Sequence, residues 1–394
     1  MKSDKLIAVH NGALGDFLCA WPALLALARG VWAQGGGPER PPVGGATMDA
    51  AGEDGGLPRV DDAPRLLFAG NMERMRWLAP LGYAPCPPAM RRALEGLYGE
   101  QGTPAWPDDL TGATMAWFCL DRLPVAAHPR IVSLPCLPPG PNGGEEDKGE
   151  QGRTTREAEP ARHVTDALRN QLERASPAAL PWTPRWDADW HGTWQRLFGG
   201  WEGADSHTVV LVPGAGHRAK QWPPQRFAAL AGELARAGYN PLYVLGPAEL
   251  ERGLALDALM PEERPEGHPE GRGVPVVTPA DHGELAEVLR RARLVLGNDS
   301  GPLHLAALHG APVLALFGPA PAATWRPHGA MALASPLDCA PCSATLRDLG
   351  CGRRNRGGKE GADVGQMPEA APCMDAITVE AVLDAVLALL NARR

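Results

Sequence analysis

The run RLVLGNDSGPLHLAALHGAPVLALFGP, residues 293–319, decides the fold. Arg293-Leu294-Val295-Leu296 reads as a buried strand, Pro302 suits the first position of a helix, and 312–317 reads as the next strand. Between strand and helix, Asp299, Ser300 and Gly301 would leave backbone N–H groups free at the positive end of the helix. Such a terminus is a ready site for a phosphate or pyrophosphate. An Asx-type turn that merely caps the helix is the alternative.

Outward from this run the alternation is regular. Strands are expected at 208–212, 241–245, 274–277 and 293–297, with helices at 223–237, 249–259, 282–292 and 302–309. Asp281 and Glu284 form a capping box for the 282–292 helix. This pattern predicts a parallel sheet wrapped by helices, with ligands at the carboxyl ends of the strands. In VVLVPGAGHRAKQWPPQRF, 209–227, Gly214 and Gly216 give a loop whose backbone can approach a ligand, and Lys220 sits between that loop and the next helix. Glu249 follows Gly246-Pro247 at a strand end and could accept from a ribose or sugar hydroxyl, or simply be an exposed helix-start glutamate. His304 could donate to a phosphate oxygen or be a satisfied structural histidine.

The N-terminal LIAVHNGALGDFLCAWPALLALARG predicts a strand at Leu6–Val9, a tight loop at Asn11–Gly15, and a helix capped by Asp16. Phe17, Trp21, Leu24, Leu25 and Ala28 share one helical face, and Pro22 predicts a kink or an offset start. The loop lacks the third glycine of a dinucleotide fingerprint. Further strands are expected near 65–69, 114–119 and 130–134, with helices near 72–81 and 88–97. Residues 34–64 and 138–162 have the Gly, Pro and charged composition of mobile insertions. Trp182, Trp186, Trp190 and Trp194 recur every four residues, with Trp201 beyond, which predicts a helical stripe packed at a domain junction. The last helix is expected over Thr378–Asn391.

With 394 residues, 44% hydrophobic and 21% charged, the chain can build two globular domains, expected at 1–185 and 186–394. A net charge of −8 argues against general nucleic-acid binding. No signal-peptide pattern is seen, and the best apolar run is interrupted by His304, His309 and Pro312, so a cytoplasmic protein with no bilayer-spanning run is expected. Eight cysteines do not suggest a disulfide scaffold. Cys339, Cys342, Cys351 and Cys373 could wrap a structural zinc ion, with a reversible disulfide or plain thiols as the rival readings.

GALGD near the N-terminus, PGAGHRAKQWP, LGPAELE and NDSGPLHLAALHGAPVLALFGP together resemble glycosyltransferase family 9, the ADP-heptose:lipopolysaccharide heptosyltransferases. The resemblance implies a GT-B fold: two Rossmann-like domains, their parallel sheets facing a central cleft. It implies an inverting, metal-independent transfer of heptose from an ADP-sugar to a lipid-anchored core oligosaccharide, with no cofactor and at most peripheral contact with the cytoplasmic face of the inner membrane. By the same resemblance Asp16 is the base; on the residue chemistry above, a bound donor is expected against Gly214, Gly216, Lys220, Glu249, Asp299, Ser300, Gly301 and His304, with the acceptor-binding residues unknown. Ala215, Gly216 and Ala219 depart from the family, which commonly presents hydroxyl or charged residues there. A non-catalytic nucleotide-sugar-binding protein and an NAD-dependent oxidoreductase are the competing expectations.

Overall fold

The computed structural model describes residues 4–34, 65–98, 105–119, 128–137, 162–175, 179–246, 249, 251, 256–259, 273–342 and 371–392. The expected insertions at 34–64 and 138–162 lie outside the described residues except at their edges. The chain divides into two units, one of Met1–Gly12, Cys19–Pro160 and Val164–Thr193, the other of Ala13–Leu18, Ala161–His163 and Trp194–Arg394.

The first unit is built on β1 (Lys5–His10), β2 (Leu66–Gly70), β3 (Tyr83–Pro85), β4 (Ala113–Cys119) and β5 (Ile131–Pro135), all parallel in the order β3-β2-β1-β4-β5. The second carries β6 (Asp205–Val212), β7 (Asn240–Val244), β8 (Val276–Val277), β9 (Ala292–Asn298), β10 (Val313–Phe317) and β11 (Met331–Ala334), again all parallel, in the order β11-β10-β9-β6-β7-β8. Both orders are doubly wound, 3-2-1-4-5 in the first sheet and 3-2-1-4-5-6 in the second when numbered from the first strand of each, and each reverses beside that strand. The expected class, two Rossmann-like units with parallel sheets, is the one the chain adopts.

The helices are α1 (Leu14–Gln34), α2 (Met75–Leu78), α3 (Pro88–Glu95), α4 (Val164–Arg174), α5 (Trp190–Phe198), α6 (Pro224–Arg236), α7 (His282–Arg291), α8 (Gly301–His309), α9 (Ala322–Trp325), α10 (Pro372–Asp375) and α11 (Val379–Asn391). α1 runs on through Pro22. Its apolar residues are buried around the whole circumference, Leu18 and Leu27 as fully as Phe17 and Leu24, rather than along one face. By length and composition α1 could cross a membrane, contrary to the expectation that no segment would qualify; 72% of its apolar window is buried inside the protein, the signature of a core helix. α8 is likewise buried from Leu303 to His309. α11 buries Val382, Val386 and Leu390 and packs against α6. The cap of α7 forms: Asp281 accepts from the N–H groups of Gly283 and Glu284, and Glu284 accepts from the N–H of Ala280, one residue before the cap, at 2.8 Å rather than from the cap residue itself.

Three local expectations are corrected. The tryptophan periodicity is not a helical stripe, because α5 contains only Trp190 and Trp194. Trp182 and Trp201 lie outside helices and donate their indole N–H to the carbonyls of Leu27 and Ala292. α8 begins at Gly301, so Pro302 is its second residue. α1 begins at Leu14, so Asp16 is third in the helix rather than its cap. Of the expected 249–259 helix, Glu249, Glu251 and a 3-10 turn at Leu256–Leu259 fall within the described residues.

One buried side chain joins β9 to the loop after β6. Asn298, fully buried, accepts from the Trp222 N–H at 2.9 Å and donates to the Pro213 carbonyl at 2.7 Å. Replacing it by alanine strands a buried donor and a buried acceptor, each worth about 1–3 kcal/mol. Asn298→Ala should therefore lower unfolding free energy by about 2–4 kcal/mol in urea titration. A loss below about 0.5 kcal/mol would mean that the loop holds without the amide.

Candidate functional site

The loop clamped by Asn298 carries Gly214, Gly216 and Lys220 between its tied ends. Within it a 3-10 turn, Arg218–Lys220, is capped by His217, whose Nδ1 accepts from the Ala219 N–H at 3.1 Å. The turn places Lys220 so that Nζ meets Asp299 Oδ2 at 2.5 Å, pairing the end of one strand–helix junction with the other. Asp299 is almost buried, and its own N–H donates to the Leu316 carbonyl at 3.2 Å, so that donor is not free for a ligand as the sequence suggests. A buried carboxylate needs such a partner, since desolvating an unpaired charge costs several kcal/mol.

The opening turn of α8 follows directly. Ser300 is its N-cap in extended conformation, yet its side chain makes no capping bond. The usual target is the N–H of the second or third helical residue. Here the second is Pro302, which has none. Ser300 Oγ is buried and has no hydrogen-bond partner among the described residues. Oγ and the helix-opening amides of Ser300 and Gly301 stand where an anion is favoured by the helix dipole.

Gly301 is tightly enclosed. A Cβ there would lie 2.8 Å from Leu14 Cβ and 3.1 Å from the Gly15 nitrogen. A Cβ on Gly15 would in turn touch His304 Cδ2 at 3.4 Å. The first turn of α1, which carries Asp16, therefore abuts the first turn of α8. Asp16 Oδ2 accepts from the Ala13 N–H at 3.0 Å, the reach-back bond of an acid in the third helical position.

His304 is buried in this junction. Burial pushes its pKa down to about 4; the Asp299 charge opposes this, while His163 and Lys220 add to it. At neutral pH the imidazole is uncharged and can donate from one nitrogen only. Glu249 belongs to a second group. Its carboxylate accepts from the Gly246 N–H at 2.9 Å and lies where a Cβ on Gly214 would sit, whereas a Cβ on Gly216 would meet open space.

The four cysteines expected to compete for zinc do not all fall within the described residues. Cys339 is exposed, Cys342 half-buried and Cys373 buried, while Cys351 lies outside them. Among the described residues no group of three His, Cys, Asp or Glu side chains could hold a metal ion.

Sequence reasoning missed three participants. Asn298 lies inside the deciding run but had no assigned role; an amide closing an otherwise apolar strand was the available signal. The Ser300 hydroxyl was overlooked in favour of its backbone. His163, whose Nε2 lies 2.8 Å from the Arg326 carbonyl, had no local signal, because its neighbours come from far along the chain.

The depressed His304 pKa makes a stability prediction. The folded value lies below the ordinary 6.5, so the unfolded state binds the proton more readily, and stability is full above pH 6.5 and lost as pH falls toward 4. Between pH 7 and 5 this group should cost about 2 kcal/mol. Urea midpoints at both pH values should fall more in the wild type than in His304→Gln. Equal falls in the two proteins would show that His304 is not held neutral by burial.

Comparison with known proteins fits this geometry. Residues 166–351 match the model of glycosyltransferase family 9 (heptosyltransferase). A protein of Escherichia coli K12 named lipopolysaccharide heptosyltransferase 3 is 30% identical over 125 residues, 32% of this chain and 35% of that protein. Another from E. coli with the same name is 28% identical over 129 residues, again 32% and 35%. The match thus spans about a third of the length of these relatives. The crystal structure of a family 9 glycosyl transferase from Veillonella parvula DSM 2008 superposes with a TM-score of 0.53 at 16% identity, covering 100% of this chain and 98% of that one, a likeness of fold. Residues 166–351, which hold the α8 terminus, Lys220 and Asn298, are the part of the chain that is similar to glycosyltransferase family 9, the heptosyltransferase family.

Proposed function

We propose that this protein is an inverting glycosyltransferase that moves a heptose or related sugar from an ADP-sugar to a lipopolysaccharide-core acceptor, without a metal ion. The observation that carries the reading is the N-terminus of α8, where a buried Ser300 hydroxyl that makes no cap sits beside the Lys220–Asp299 pair. The family 9 match over residues 166–351 supports the sugar-transfer chemistry, and the names of the E. coli relatives suggest the heptose and the lipopolysaccharide.

In this reading the donor diphosphate lies against the Ser300 and Gly301 amides and Ser300 Oγ, with Lys220 turning part of its charge from Asp299 to a phosphate oxygen. Neutral His304 adds a single donor. Glu249, held over Gly214, accepts from a ribose or sugar hydroxyl, and the open space beside Gly216 admits the nucleotide. Asp16 takes the proton of an acceptor hydroxyl as that oxygen bonds to the anomeric carbon from the face opposite the diphosphate. The bond from that carbon to the phosphate oxygen breaks, and its electron pair leaves on the diphosphate. Fixed amides and a cation pre-aimed at this developing charge stabilise the transition state without reorganising. They supply the neutralisation that Mg²⁺ would otherwise give. The Asp16 carboxylate, placed in the first turn of α1, is favoured as the ionised base by the helix terminus.

Two variants and one additive test this. Lys220→Ala should weaken ADP binding at least about tenfold, as expected when a charge-assisted contact is lost. Asp16→Asn should keep ADP affinity within about twofold yet lower turnover of ADP-heptose with delipidated core acceptor by roughly 10²–10⁴-fold. EDTA should leave turnover intact. Turnover by Asp16→Asn close to wild type would remove Asp16 from the chemistry, binding without any turnover in the wild type would favour a non-catalytic binding protein, and strict Mg²⁺ dependence would overturn the metal-free mechanism.

A further inference from the structure

Arg74 is a buried arginine, 4% exposed, that the sugar-transfer reading does not use. It ends a 3-10 turn, Met72–Arg74, which follows β2 and is capped by Asn71 accepting from the Glu73 N–H at 2.9 Å. Its Nη1 lies 2.9 Å from His10 Nδ1, at the end of β1, and its Nη2 donates to the Gly12 carbonyl at 2.6 Å. A guanidinium only donates, so His10 Nδ1 accepts and the imidazole proton of His10 resides on Nε2. Burying that charge is costly, and an apolar side chain of similar volume would fill the space at lower cost.

The geometry gives the charge a purpose. The Gly12 carbonyl and the Ala13 N–H are the two edges of one planar peptide unit. Arg74 holds the carbonyl edge, and the N–H edge donates to Asp16 Oδ2 at 3.0 Å. Rotating this unit would carry the anchor of the carboxylate with it. Drawing electron density from the carbonyl also strengthens donation by the N–H, since linked hydrogen bonds polarise one another. We propose that Arg74 is a positioning residue for Asp16, acting through the Gly12–Ala13 peptide and locked in place by His10. The proposal rests on Asp16 being the base, and an ångström of misplacement at such a group is enough to cost about a hundredfold in rate.

The test pairs an amide readout with turnover. In Arg74→Met, hydrogen exchange at the Ala13 amide should accelerate at least about tenfold while amides inside β1 keep their protection, because only the loop loses its anchor. Turnover should fall by about 10–100-fold with ADP affinity unchanged, and Arg74→Lys, which can reach one of the two acceptors, should recover part of it. Added to Asp16→Asn, the Arg74→Met change should cost nothing further, as expected for residues acting as one unit. If the methionine variant folds poorly, the lysine variant carries the same exchange and turnover measurements. Unchanged Ala13 exchange in both variants, or a full additional loss in the Asp16→Asn background, would overturn the proposal. Wild-type turnover in Asp16→Asn alone would instead overturn the base reading, a failure the exchange result keeps separate.

Discussion

The proposed donor side depends on one buried amide. Asn298 ends β9, where an apolar residue would continue the core, and commits its side chain to Pro213 and Trp222 at the two ends of the 213–222 loop. With both ends fixed to β9, the loop has little freedom over where Lys220 goes. The next residue along from the clamp is Asp299, the partner of Lys220. Strand end, loop and ion pair are therefore a single construction, and the helix terminus at Ser300 inherits its position from it.

A second constraint is the burial of α1 and α8. Both are apolar nearly all round, and each carries a polar side chain of the candidate site in its first turn, Asp16 in α1 and His304 in α8. Charges there act in a low-dielectric setting, which strengthens their interactions and penalises any left unmatched. The His304 shift has this origin: desolvation outweighs the nearby Asp299 charge. Close approach of Gly301 to Leu14 and Gly15 is the packing that this arrangement demands.

Much of the fold was legible because strands buried on both faces read as continuous apolar runs. Leu294–Leu296 and Val209–Val212 are examples, and both are strands. The short β3 and β11 carry too few residues to show any pattern. The tryptophan spacing misleads because Trp182 and Trp201 lie outside α5, their indoles donating to the distant carbonyls of Leu27 and Ala292, and only Trp190 and Trp194 share a helix. Asp16 reads as a cap because Ala13 has no polar side-chain atom to mark the true helix start. At the site, glycines, Lys220 and the Asp-Ser-Gly turn were each readable as local chemistry. Their assembly was not: Lys220 and Asp299 stand 79 positions apart and Arg74 lies 64 from His10, separations that only the sheet order brings together.

Everything proposed for the donor turns on a diphosphate seated on the first turn of α8. Amide chemical shifts of the ¹⁵N-labelled protein titrated with ADP test that seat most directly. Ser300 and Gly301 should move downfield at saturation, as N–H groups do when they donate to phosphate oxygens, and the Lys220 ammonium signal should shift with them. ADP binding that saturates while these signals stay fixed would contradict it.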